Sequence, residues 1–194
     1  TPVEVRTIFF GGGTPSLLEP SLLERIMTAL AERFRWSLAT EITLEANPKT
    51  VSRDKLAAFR SLGVNRLSVG VQSFQDKYLK FLGRIHSGDE ARRTIDAAFE
   101  AGFKNVNLDL IYGLPDQTMR ELEADLMQAI SLKTTHLSAY QLTIEPGTPF
   151  AALHRRGELT MLPADRLAGM FETVRDRLDK ACWAPYEISN FERP

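Results

Sequence analysis

Cysteine is almost absent from this sequence. The single one, Cys182, excludes an internal disulfide framework and, taken alone, any cluster held by several thiolates. An excess of one charge is missing too: 24 Lys and Arg stand against 25 Asp and Glu, for a formal -1 at pH 7. Nothing in that balance points to a nucleic acid or an anionic membrane as partner. No apolar run approaches the roughly 20 residues that span a bilayer, and no basic-then-apolar leader opens the chain. The chain reads as cytoplasmic, with no membrane span. Low-complexity tracts and sequence repeats are absent, and His136 and His154 have no metal-ligand spacing with any partner, so no metal site is read from the residues.

What is present is an ordinary globular composition, 43% hydrophobic and 25% charged over 194 residues, enough for one domain with a sizeable core. The chain opens on Thr1-Pro2 rather than Met and stops at Glu192-Arg193-Pro194, straight after the strand-like YEISNF. The expectation is one domain over residues 1–194, cut from something longer.

Strand and helix patterns alternate, the signature of βα units on a parallel sheet. Strands are predicted at Val5 to Phe10, Glu41 to Ala46, Arg66 to Val71, Val106 to Ile111 and His136 to Leu142, with a short one near Tyr186 to Ile188. A helix from Pro20 to Phe34 carries Leu22, Leu23, Ile26, Met27, Leu30 and Phe34 on one face. Ser52 N-caps a helix bearing Leu56, Phe59 and Leu62 that ends at Gly63. Ser87 with Glu90 forms a capping box ahead of Ala91, Ile95, Ala98 and Phe99, and Thr118 with Glu121 a second ahead of Leu122, Leu126 and Ile130. A last helix runs from Pro163 to about Ala181, and Cys182 beside Trp183 reads as a small buried hydrophobe.

Within the strands, Leu67, Val69 and Val71 interleave with Ser68, Gly70 and Gln72; Val106, Leu108 and Leu110 interleave with Asn107, Asp109 and Ile111. One apolar face for helices and one small, polar face for a lumen fit a barrel better than an open doubly wound sheet. A polar lumen implies a polar ligand or much buried water.

In parallel α/β folds ligands sit at the carboxyl ends of strands. There this chain places Gly11-Gly12-Gly13, Glu45-Ala46-Asn47-Pro48, Gln72, Asp109 and Tyr140 to Thr143. Each also has a structural reading: the glycines as a tight turn, Glu45 as an ion-pair partner, Asn47-Pro48 as a turn starter, Arg84 and His86 as a solvated loop. The glycine spacing is neither GxGxxG nor a phosphate loop.

Six stretches together carry a resemblance: FFGGGTPS, LEANPKT, GVNRLSVGVQSF, LGRIHS, NVNLDLIYGLPDQT and YQLTIEPGTPF. In this order and at these distances they resemble the radical S-adenosylmethionine (SAM) proteins related to oxygen-independent coproporphyrinogen III oxidase, above all the haem chaperone branch called HemW. The resemblance covers essentially the whole chain. It implies an α/β partial (β/α)6 radical SAM (TIM-like) barrel, here missing the first strand and cluster loop, with SAM on its rim. It implies that Gly12, Gly13 and Thr14 meet the methionine end of SAM, that Glu45 and Gln72 reach the ribose and nearby polar atoms, and that Arg84 holds the carboxylate. It further implies that Asp109 and Ile111 line the nucleoside and that Leu142 and Thr143 lie near adenine. The family holds a [4Fe-4S] cluster on a CxxxCxxC loop that is not in this sequence, so the cluster is expected only in a full-length parent.

The resemblance leaves two functions in view: haem binding and delivery to an acceptor protein, or decarboxylation of the propionates of coproporphyrinogen III to vinyl groups. A third reading, from another class, is a phosphate-binding barrel enzyme, which would need a basic or glycine cradle at the late strands. If haem is a ligand, His86, His136, His154, Cys182 and several tyrosines are open as axial ligands. No catalytic residue is singled out.

Overall fold

Ser52, Ser87 and Thr118 each precede an apolar helical stripe, and each caps its helix in the computed structural model, which describes residues 3–194. The opening Thr1-Pro2 pair lies outside the described residues. The chain forms two compact units, one running to Leu108 with Thr134–His136, the other Asp109–Lys133 with Leu137–Pro194.

The first unit contains strands β1 (Val3–Glu4) and β2 (Thr7–Phe10), helix α1 (Pro20–Ala31), and strands β3 (Phe34–Arg35) and β4 (Glu41–Ala46). Helix α2 (Arg53–Ser61), strand β5 (Arg66–Gln72), helices α3 (Asp76–Phe81) and α4 (Gly88–Glu100) and the first half of β6 (Asn105–Tyr112) follow. Strands β2, β4 and β5 run parallel, with Ile8 opposite Ile42 and Leu44 opposite Leu67. Their apolar residues close the core: Leu44, Leu67, Val69, Leu56, Phe59 and Ile95 are all fully buried. Each such side chain is worth about 1.5–3 kcal/mol relative to exposure.

Helix α1 stops three residues short of the expected Phe34, because Phe34–Arg35 pairs in parallel with Val3–Glu4. Its stripe is also narrower than the periodicity predicts: Leu23 and Met27 are buried, while Leu22 and Ile26 stay about 40% exposed. The small and polar set of β5 is buried, and it satisfies itself in part through Asn107 Nδ2 donating to Ser68 Oγ at 2.8 Å.

The second unit contains the end of β6, helix α5 (Met119–Ser131), nearly all of β7 (His136–Gln141), helices α6 (Pro149–Arg155) and α7 (Ala164–Lys180), and strands β8 (Ala184–Pro185) and β9 (Asn190–Glu192). Its core joins Leu122 and Leu126 of α5 to Met170, Val174 and Leu178 of α7. Residues 186–188, expected as a strand, instead turn between β8 and β9, an antiparallel pair with Ala184 opposite Glu192. The turn is closed by Tyr186 N–H donating to the Asn190 carbonyl at 3.1 Å.

Cys182 corrects a further expectation. It is exposed, in the left-handed conformation at φ 61° just past α7, with its N–H donating to the Asp179 carbonyl at 2.9 Å. That helix-terminating conformation leaves the thiol in solvent, while the neighbouring Trp183 takes the buried place beneath the Arg193 guanidinium. The short helices α3 and α6 have no counterpart in the sequence expectations. Among the described residues no helix is long and apolar enough to cross a membrane.

Candidate functional site

In the first unit the loops after β2, β4 and β5 bring several of the expected residues together. Gly12 and Gly13 adopt φ 81° and 54°, a region open to glycine, and a Cβ on either would meet nothing within 4 Å. Their bare backbone therefore faces open space. Gly12 N–H donates to Glu45 Oε2 at 3.1 Å, which ties the glycine loop to the end of β4.

One residue further on, Asn47 gathers the rest. Its Nδ2 donates to Thr14 Oγ1 at 3.3 Å and its Oδ1 accepts from Arg84 Nη1 at 3.5 Å. Gly70 makes room for this: a Cβ there would come within 2.9 Å of Asn47 Oδ1 and of Gln72 Nε2. The two amides thus share the space above a residue with no side chain, which explains a glycine inside a buried strand. Gln72 itself is buried and held at φ 67°, a strained conformation for a residue with a side chain.

His86 lies behind this cluster. Its ring is buried and Nε2 stands 3.1 Å from the Val71 carbonyl, one residue before Gln72. Burial pushes its pKa below the usual histidine value, the Val71 contact opposes that shift, and the Arg84 charge adds to it. Arg84 and His86 are therefore built into the site, not spread over a solvated loop.

In the second unit, Leu142 is buried and its N–H donates to the Tyr112 carbonyl at 2.8 Å. Thr143 Oγ1 donates to Glu145 Oε1 at 3.2 Å. Asp109 and Ile111 are half-buried on β6. The turn after β6 is shaped by Gln117, whose Oε1 accepts from the N–H of Gly113 at 2.8 Å and of Leu114 at 3.3 Å.

The candidate haem ligands differ in setting. His86 is engaged as described, His154 Nδ1 stands 2.9 Å from the Leu159 carbonyl, and Cys182 is exposed. Among the described residues no group of three or more His, Cys, Asp and Glu could hold a metal ion, and one exposed cysteine does not fit a [4Fe-4S] cluster. The polar set of the first unit does fit a zwitterionic, hydroxyl-bearing ligand: the Arg84 guanidinium matches a carboxylate, Glu45 accepts from hydroxyl or amino donors, and the glycine loop allows close approach.

Asn47 and Gly70 join this cluster, although the sequence pattern places Asn47 at a strand end as a turn starter and Gly70 on the lumen face and assigns neither a ligand role. The signals for them existed: an Asn-Pro pair at a strand end, and a glycine in the middle of an apolar strand.

The family model described as the radical SAM superfamily matches residues 2–129. The chain is similar to the heme chaperone HemW of Escherichia coli, 45% identical over 192 residues, which cover 98% of this chain and 50% of that protein. It is 41% identical to the mouse protein named radical S-adenosyl methionine domain-containing protein 1, mitochondrial, over 97% of this chain and 43% of the relative. Among solved structures, coproporphyrinogen III oxidase (HemN) from Escherichia coli, described as a radical SAM enzyme, superposes with a TM-score of 0.86 at 27% identity, over 98% of this chain and 44% of that one. The chain spans about half the length of the curated relatives it matches.

Proposed function

The chain belongs to the radical SAM superfamily and has its α/β fold, and on that premise we propose that it forms the SAM-binding part of a haem-binding and haem-delivery protein. The observation that carries the SAM reading is the linked cluster in the first unit: Gly12 on Glu45, and Asn47 between Thr14 and Arg84. In this reading Gly12, Gly13 and Thr14 receive the methionine end, Arg84 the carboxylate, and Glu45 with Gln72 the ribose. The nucleoside and adenine roles of Asp109, Ile111, Leu142 and Thr143 rest on their motifs alone. Haem as the cargo is supported by relatives named heme chaperone at 38–45% identity. An acceptor protein for haem and a cytoplasmic setting complete the reading.

We read the 194 residues as one radical SAM domain. They supply no cysteine set for a [4Fe-4S] cluster, so no step through a cluster is assigned to them. The second reading, oxidative decarboxylation of coproporphyrinogen propionates, is favoured by the TM-score of 0.86 with HemN.

The test uses the protein in the longest form its gene encodes, prepared without oxygen and given SAM, haem and coproporphyrinogen III separately. Retained haem with no vinyl product is the expected result. Formation of protoporphyrinogen would overturn the chaperone reading, and failure to retain haem would remove its cargo.

A further inference from the structure

The geometry points to Asn47 as the positioning residue that aims the Arg84 guanidinium, and so as the residue that makes this site select a ligand carrying a carboxylate. This rests on the SAM reading above, since it supplies a carboxylate for Arg84 to meet.

Asn47 is held from every side. Its backbone N–H donates to Ser16 Oγ at 3.3 Å, and its carbonyl accepts from Thr50 N–H at 3.1 Å and from Thr50 Oγ1 at 2.6 Å. Ser16 and Thr50 close the ring by sharing a hydrogen bond at 2.6 Å. The following proline biases Asn47 towards an extended backbone. With the main chain pinned, both ends of the side-chain amide are committed, Nδ2 to Thr14 and Oδ1 to Arg84. A carboxamide carries a donor and an acceptor side by side, so one side chain donates to one loop while it accepts from the other.

Arginine has many rotamers, and ordering one costs free energy. An acceptor that holds the guanidinium before the ligand arrives removes part of that cost from binding. Neutrality matters as much as reach. A carboxylate at position 47 would pair with Arg84 more strongly than an amide does, cancel its charge, and compete with the ligand's own carboxylate. Asn47 orients the cation without consuming it. A second tie acts on the same loop: Lys49 Nζ donates to the Ile85 carbonyl at 3.5 Å and pairs with Glu90 at 3.6 Å, which joins the segment after Asn47 to the residue after Arg84.

The experiment measures equilibrium binding of SAM and of decarboxylated SAM, the analogue without the carboxylate, to the longest form of the protein its gene encodes. The proteins are wild type, Asn47→Ala, Asn47→Asp, Arg84→Ala and the double variant Asn47→Ala/Arg84→Ala, with circular dichroism as a check of folding. Losing a hydrogen bond to a charged group corresponds to about tenfold in affinity. Asn47→Ala should weaken SAM by about that factor, leave the decarboxylated analogue unchanged, and add nothing in the Arg84→Ala background. Asn47→Asp, closest in shape and least prone to misfold, should also lose SAM while keeping the analogue. If Arg84→Ala weakens SAM but neither Asn47 variant does, or if the Asn47 variants weaken both ligands equally, the positioning role is overturned. If Arg84→Ala leaves SAM affinity unchanged, it is the carboxylate assignment beneath the proposal that fails.

Discussion

A methyl group at position 70 has nowhere to go without moving an amide, since its carbon would sit 2.9 Å from both Asn47 Oδ1 and Gln72 Nε2. Both neighbours are ends of flexible side chains, and the nearest backbone atom, the Ala46 carbonyl, is at 3.9 Å. Gly70→Ala is therefore expected to fold, with a melting temperature close to wild type, and to lose affinity for SAM by about tenfold or more as the two amides are pushed aside. Thermal denaturation and a SAM titration on the same sample check it; unchanged binding would mean that these amides do not face the ligand. At this scale the sequence was informative about type and weak about arrangement. Glu45, Gln72 and Arg84 could be named from their motifs, but Asn47 looked like a turn starter, because what it does depends on Thr14 and Arg84, 33 and 37 positions away.

Helix ends were legible wherever a cap and an apolar stripe coincide. Around α4, Ser87 Oγ accepts from Glu90 N–H at 3.2 Å and the Glu90 carboxylate accepts from Ser87 N–H at 2.8 Å. Removing that hydroxyl in Ser87→Ala should cost about 1 kcal/mol and lower Tm by roughly 2–4 °C. Thr28→Ala, at an exposed hydroxyl inside α1 that donates only to the Glu24 carbonyl, should change stability by less than about 0.5 kcal/mol. Urea denaturation of both variants measures the difference, and equal losses would rule out the box as a stabilising device. Elsewhere the local pattern misled. Phe34 continues the stripe of α1, yet it joins Val3 in a strand. YEIS reads as a strand, yet it turns so that Asn190–Glu192 can pair with Ala184–Pro185.

Each of the two compact units has its own buried core. Acid should loosen the molecule through the first of them. His86 is buried with its pKa below the usual 6.5, mainly because burial disfavours its charged form. The unfolded chain therefore takes up a proton before the folded one does. This stability is fully present above the unfolded pKa, and it declines as pH falls below about 6.5 towards the folded value. The melting temperature should drop between about pH 7.5 and pH 5, and the drop should be shallower in His86→Gln, which can still donate to the Val71 carbonyl without titrating. Identical pH profiles for the two proteins would show that His86 contributes nothing to the acid response.

The alternation of βα patterns, the three capped helices and the collection of polar groups at strand ends were all present in the residue order, because caps, periodicity and turn chemistry act over three or four residues. So was the radical SAM resemblance, which the family match and the HemN superposition bear out. The hub at Asn47, the room left by Gly70, the burial of His86, the exposure of Cys182 and the β8–β9 turn came from the fold alone. The first three depend on atoms far apart in the chain meeting within a few ångströms, and short-range pattern carries no information about which distant partner will arrive; the last two are set by near neighbours, Cys182 with Asp179 and Ala184 with Glu192, where strand, turn and helix end compete locally.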